Sequence, residues 1–273
     1  MKKFNQILPI LLVFTAFQIH AQSIYAPVSS RVIGMGDASV TMDGYWASFQ
    51  NIAGVATTEN FEVGATYENR FGMPGMDFMA AGLTAQLPFG HAALTVFRFG
   101  DDLYNEHKVS LGYATEIGII KLGGRLNYLQ FQVQDFGTQE TYSIDFGGIA
   151  TITPQLVIGA QALNITQSNL SAEAEQSVPT LLKLGISYRP RDYFMLNAEI
   201  EKDIIKSAML KLGAEYNFLE KFYLRTGVNG GSFQSFYGLG FKYLSFQWDY
   251  ALSNHAEMGF SHSLSMHYKL RKR

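Results

Sequence analysis

Ser207-Ala-Met-Leu-Lys-Leu-Gly-Ala-Glu-Tyr-Asn-Phe218, Phe222-Tyr-Leu-Arg-Thr-Gly-Val228 and Leu244-Ser-Phe-Gln-Trp-Asp-Tyr-Ala-Leu252 repeat with a period of two. Ala208, Leu210, Leu212, Ala214, Tyr216 and Phe218 fall on one side of an extended chain. Met209, Lys211, Gly213, Glu215 and Asn217 fall on the other. Leu244, Phe246, Trp248, Tyr250 and Leu252 likewise oppose Ser245, Gln247, Asp249 and Ala251. Successive strand side chains point to opposite faces, so this alternation makes a sheet with one apolar and one polar face. A soluble sheet would cover the apolar face with helices or a second sheet, and this stretch supplies neither. A transmembrane barrel turns the layout inside out, with apolar residues toward lipid and polar ones toward the lumen. The expected fold is all-β, a transmembrane antiparallel barrel of about fourteen strands.

Working outward, fourteen candidate strands run from Phe61–Asn69 to Phe260–Leu270, each near the ~9–11 residues that a tilted membrane strand needs. Short turns at Pro88-Phe89-Gly90, Thr153-Pro154 and Arg189-Pro190-Arg191 alternate with longer links at Arg70–Gly75, Gln132–Glu140, Thr166–Val178 and Ser253–Gly259. Ala92–Phe99 is apolar on both faces apart from Thr95 and Arg98, so pattern alone leaves its register open. Charged residues are 16% of the 273, against roughly 25% in soluble domains. Aromatics reach 14% and Gly numbers 26, which suits interfacial girdles and tight turns.

The chain opens with Lys2-Lys3, an apolar run from Ile7 to Phe17 and Ile19-His20-Ala21, the pattern of a secretory signal peptide over residues 1–21. Residues 22–59 then form an N-terminal hatch and 60–273 the barrel. Within the hatch, Tyr45, Trp46, Phe49, Ile52 and Val55 recur at helical spacing behind a possible N-cap at Asp43, which predicts a short amphipathic helix. Residues Arg31–Ala56 are expected to plug the lumen.

Net charge of −2 excludes the clustered basic face of a nucleic-acid binder, and zero Cys excludes disulfides, thiolate metal sites and a lipid anchor on cysteine. No cofactor or metal is expected, because the His residues lack ligand spacing. Ser261, Ser263, Ser265 and His267 share one strand face, but a Ser-His hydrolase also needs an oriented base, so an enzyme is not expected. Charges on lipid-facing positions near the midplane are costly, ~2–4 kcal/mol for Lys or Arg, which sends Lys183, Glu199, Glu201, Lys211, Glu215, Arg225 and Asp249 to the lumen. There they either line a selective path or pair and brace the barrel. Bracing is the more ordinary reading, since opposite charges at matched depth neutralise one another.

Two stretches resemble the PorV/PorQ branch of the FadL-like outer-membrane barrels. Gly34-Met-Gly36-Asp-Ala38 and Asn51-Ile-Ala-Gly54-Val55 stand where that family has Gly-Met-Gly-Gly-Ala-like and Asn-Pro-Ala-Gly-Leu-like segments, with Ile52 in place of Pro. Leu224-Arg225-Thr-Gly227, Gly238-Leu-Gly240-Phe241 and Asp249-Tyr-Ala251 are similar to the run across its closing strands. The resemblance implies a fourteen-stranded barrel in the outer membrane, with Gly34, Gly36, Trp46, Asn51 and Gly54 in the hatch. It implies two functions. One is a docking accessory of type IX protein secretion, with secretion components or cargo proteins as partners. The other is a FadL-like channel for hydrophobic ligands, which would pass through the barrel and out sideways.

Overall fold

A computed structural model of the chain describes residues 24–170, 178–230 and 234–270. The signal-peptide segment 1–21 and the basic residues 271–273 lie outside the described residues. The strands are β1 (Phe61–Asn69), β2 (Asp77–Leu87), β3 (Gly90–Gly100), β4 (Tyr104–Ile117), β5 (Ile120–Val133), β6 (Gly137–Thr153) and β7 (Leu156–Leu163). They continue as β8 (Leu181–Arg191), β9 (Phe194–Asp203), β10 (Met209–Phe218), β11 (Phe222–Asn229), β12 (Gln234–Tyr243), β13 (Phe246–His255) and β14 (Gly259–Leu270). Each is antiparallel to its chain neighbours, and β14 returns to β1 with Phe61 opposite Leu270 and Asn69 opposite His262, so the sheet closes. Closure leaves no sheet edge unpaired, which a bilayer requires of any β structure crossing it.

The faces are inverted as the alternation predicts. Leu210, Leu212, Tyr216 and Phe218 are 50, 42, 41 and 51% exposed on the outside, whereas Lys211 and Glu215 are 4 and 7% exposed inside. On β3 the register settles with Ala93, Thr95, Phe97 and Phe99 buried inward and Leu94, Val96 and Arg98 outward. Arg98 therefore departs from the rule that charges occupy the lumen.

Short turns between β2–β3, β4–β5, β6–β7, β8–β9, β10–β11 and β12–β13 lie at the end where β1 begins, here the hatch end. The remaining links lie at the other, the loop end. Several links are shorter than alternation suggests. Only residues 134–136 separate β5 from β6, because the Gln132–Glu140 stretch keeps its ladder, Val133 opposite Gly137. Ser253–His255 likewise stays in β13. Arg189-Pro190-Arg191 is the irregular end of β8, with the register shifting between Tyr188 and Arg191, and the turn falls one step later.

The hatch runs through the lumen from the loop end toward the hatch end. It contains α1 (Ser30–Gly34) and two short 3₁₀ helices, Tyr45–Ser48 and Ile52–Thr57, in place of the amphipathic helix. The cap ahead of the first 3₁₀ helix is Gly44 at φ 96°, not Asp43, and Asn51 interrupts the run by capping the second, Oδ1 accepting from the Ala53 N–H at 3.2 Å. An amphipathic helix keeps one face wet. This segment lies inside the barrel, and Tyr45, Trp46, Ala47, Ser48, Ile52, Ala53 and Val55 are all buried.

Candidate functional site

The lumen, with the hatch inside it, is where the chemistry gathers. The hatch approaches the wall so closely that strand residues beneath it have no side chain. Gly213 of β10 and Gly227 of β11 are register partners, and a Cβ on either would overlap the Met35-Gly36 backbone. On β6 a Cβ at Gly147 would overlap Asn51 Oδ1, and on β12 Gly238 packs on Gly34. Gly36 itself sits at φ 65°, left-handed backbone that Gly adopts without steric cost. Gly54 meets the Met42 carbonyl and Ala47 in the same manner within the hatch.

Polar groups then fix what the glycines admit. Asn51 Nδ2 donates to the Val40 carbonyl at 2.7 Å and to Gly148 and Ala160 of the wall at 3.3 Å each. Glu199 Oε2 accepts from the Ser39 and Val40 N–H groups at 2.7 Å each, so a wall carboxylate caps hatch backbone. Tyr45 Oη donates at 2.7 Å to the carbonyls of Gly64 and Gly82 across β1 and β2. Trp46 packs edge-on to Tyr45 at 4.8 Å, with its Nε1 unpartnered.

The seven lumenal charges named from sequence all face inward, Glu201 half-buried and the other six buried, in two clusters. In the first, Arg31 of the hatch forks onto Glu215 with both bonds at 3.0 Å. Arg225 donates to the same carboxylate at 2.6 Å and to Asp249 at 2.7 Å, while Gln247 bonds the second Asp249 oxygen at 2.9 Å. Two cations face two anions. In the second cluster, Lys183 and Lys211 both reach Glu201 at 2.8 Å and stand 3.8 Å from Glu199. Sequence reading missed a third cluster on β5 and β6. Arg125 binds Asp145 at 2.7 Å and donates to the Ser48 carbonyl of the hatch at 2.8 Å. The missed signal was the same period of two, since Lys121, Gly123, Arg125 and Asn127 share one face. Lys121 pairs with Asp43 of the hatch at 2.9 Å. Among the described residues each cluster carries both signs, and each reaches the hatch.

Two cavities flank the hatch. One of about 620 Å³ lies at the hatch end, lined in part by Trp46, Glu62, Lys242 and His267. The other, about 850 Å³, lies at the loop end against Asp37, Lys183, Glu201, Leu181, Met209 and Lys211. Beside it the lumen changes character. Phe78, Phe97, Phe99, Leu129 and Phe131 form an aromatic wall on which Ile24, Tyr25 and Val28 lie, and the Ile24 carbonyl is held by Lys108.

Asp37 is itself left-handed, at φ 65°, and its Oδ1 has no hydrogen-bond partner. Burial pushes its carboxyl up to about 7 against the pull of Lys211 and Lys183, with Glu68 and Glu201 adding to the rise. A carboxyl raised from its unfolded value of ~3.9 binds its proton more tightly when folded, so its stabilising share is whole below that pH and is lost on rising to 7. Melting in detergent, followed by gel heat-modifiability, should therefore show wild type losing more stability than D37N between pH 5 and 8. Parallel profiles would mean that Asp37 is not protonated in the fold.

The serines and histidines near the last strand take partners in the hatch, the loops and the wall. Ser263 and Ser265 bond the Ser30 hydroxyl at 2.9 Å each, and Ser261 takes the Phe71 N–H at 3.0 Å. His267 pairs with Glu62 at 2.6 Å and stacks on Tyr45, whereas His262 faces outward onto Tyr250.

No protein-family model matches the chain, and no curated protein does. Solved structures do match. CymD, a monoaromatic hydrocarbon channel, aligns at a TM-score of 0.64 with 12% identity, over 90% of this chain and 98% of its own. A Pseudomonas aeruginosa FadL homologue aligns at 0.66 with 11% identity, over 89% and 98%. A deltaS2 mutant of TodX, another monoaromatic hydrocarbon channel, aligns at 0.67 with 10% identity, over 90% and 99%. At these identities the likeness is one of fold.

Proposed function

We propose that the chain is an outer-membrane barrel that admits hydrophobic small molecules to a lumen gated by its N-terminal hatch. The observation that carries this reading is the aromatic wall at the loop end of the lumen. Apolar surface left in water costs about 25 cal/mol per Å². Here Ile24, Tyr25 and Val28 lie against that surface, where an entering hydrophobic solute would find the same rings. The fold likeness to hydrocarbon channels supports the reading at the level of architecture, and the signal-like segment 1–21 fits export. Every strand is bonded to both neighbours, so this closed state offers no sideways outlet, and passage requires the hatch or a strand pair to move.

A docking accessory of type IX secretion is the second reading, and the seating of the hatch favours it, because a plug fixed by three ion clusters suits a binding surface better than a gate. One experiment separates the two. Under the channel reading, deletion slows uptake of long-chain lipophilic compounds and leaves surface display of secreted proteins intact. Normal uptake with defective display, and recovery of secretion components by immunoprecipitation, would transfer the function to docking.

A further inference from the structure

Hollows open on the outer wall, and one of them ends on a cation. Across β14, β1, β2 and β3 the outward row reads Met266, Ala65, Ala81, Val96 in register. The two small alanines leave a hollow of about 840 Å³, bounded by Trp248, Leu264, Tyr67 and Met79 and reaching Arg98 and His107. Arg98 and His107 are register partners near the loop ends of β3 and β4, both pointing outward. Among the described residues Arg98 has no hydrogen-bond acceptor and no ion-pair partner. On the flanking strand, the outward carboxylate of Asp77 is already engaged by Tyr67 Oη at 2.6 Å and Asn69 Nδ2 at 2.9 Å. The hollows over β8–β11 and over β4–β8 carry no outward charge.

An arginine directed toward acyl chains is costly at the midplane but nearly free at the interface, where an anionic headgroup can meet it. An apolar trough with an unpaired cation at its interfacial end has the polarity of a lipid. We infer that this hollow binds one acyl lipid with an anionic phosphorylated headgroup, its chain over Ala65 and Ala81 and its headgroup at Arg98 with His107 beside it. The site is separate from the lumen and does not depend on what the lumen admits.

The two tryptophans make the test direct. W46F removes the lumenal one and leaves Trp248, at the edge of the hollow, as reporter. In this background the protein is reconstituted into vesicles of unbrominated phosphatidylcholine containing brominated phosphatidic acid or brominated phosphatidylcholine. Trp248 should reach half quenching at about fivefold lower mole fraction of the acid, the preference that one arginine near an anionic lipid surface provides. R98Q should erase the preference and R98K should keep most of it, with heat-modifiability confirming that both fold. Equal quenching by the two lipids, or a preference untouched by R98Q, would overturn the site. Absence of quenching by either lipid would instead count against membrane insertion itself.

Discussion

Arg225→Met should destabilise the barrel by about 3–5 kcal/mol, because it leaves Glu215 and Asp249 buried with half of their positive charge gone. Arg225 is wholly enclosed, reaching β10 through Glu215 and β13 through Asp249, so one side chain ties three strands. Glu215 keeps Arg31, but among the described residues Asp249 keeps only the neutral Gln247 amide. Water cannot easily take the place of the lost guanidinium, since Gly238 and Gly240 press against its stem and head. Replacing the whole cluster by apolar residues, with R31M, E215L, R225M and D249L together, should recover stability to within ~1 kcal/mol, as is common when a buried ionic group is exchanged for packed apolar volume. Equilibrium unfolding in urea from phospholipid vesicles measures both variants. A single R225M variant within ~1 kcal/mol of wild type would show that the ion cluster does not hold the strands together.

What could be read beforehand follows the reach of a local rule. Alternation along β10, β11 and β13 fixed both faces, because a register slip of one residue would put Lys211 and Glu215 into lipid. The strand count followed from the same rule repeated. On β3, where Ala93, Leu94, Val96, Phe97 and Phe99 are all apolar, the rule is silent, and register came only from pairing with β2 and β4. The stretch from Tyr45 to Val55 departs from the expected short helix because helical spacing presupposes a wet face. In the lumen both sides of the segment meet the barrel or the rest of the hatch, and Gly44 and Asn51 break it in two. Inward charges were foreseeable from parity, but their partners were not. Lys121 meeting Asp43 and Arg125 meeting Ser48 join residues nearly eighty positions apart, a distance set by the threading of the hatch and invisible to any local pattern.

Removal of residues 24–57 should turn a nearly silent barrel into one with large, steady conductance steps in planar bilayers. An eight-stranded barrel is filled by its own side chains, but the interior widens with strand number, and sixteen strands already leave an aqueous channel. Fourteen strands enclose space that here is taken by the hatch. Gly227→Leu tests the seating without deleting it. The new side chain points at the Met35-Gly36 backbone, and both partners are held in place. β11 is laddered to β10 and β12, while the hatch is held on one side of the contact by Arg31 on Glu215 and on the other by Ser39 and Val40 on Glu199. The least costly escape is for the hatch to lift locally, which should give brief, flickering openings well below those of the deletion. If the deleted form folds, inserts and stays silent, the lumen must be closed by its own wall. If G227L conducts no more than wild type, the wall at β10 and β11 must yield in place of the hatch. Gating would then belong to the strands, and the ion clusters that tie the hatch down would hold shut nothing that opens.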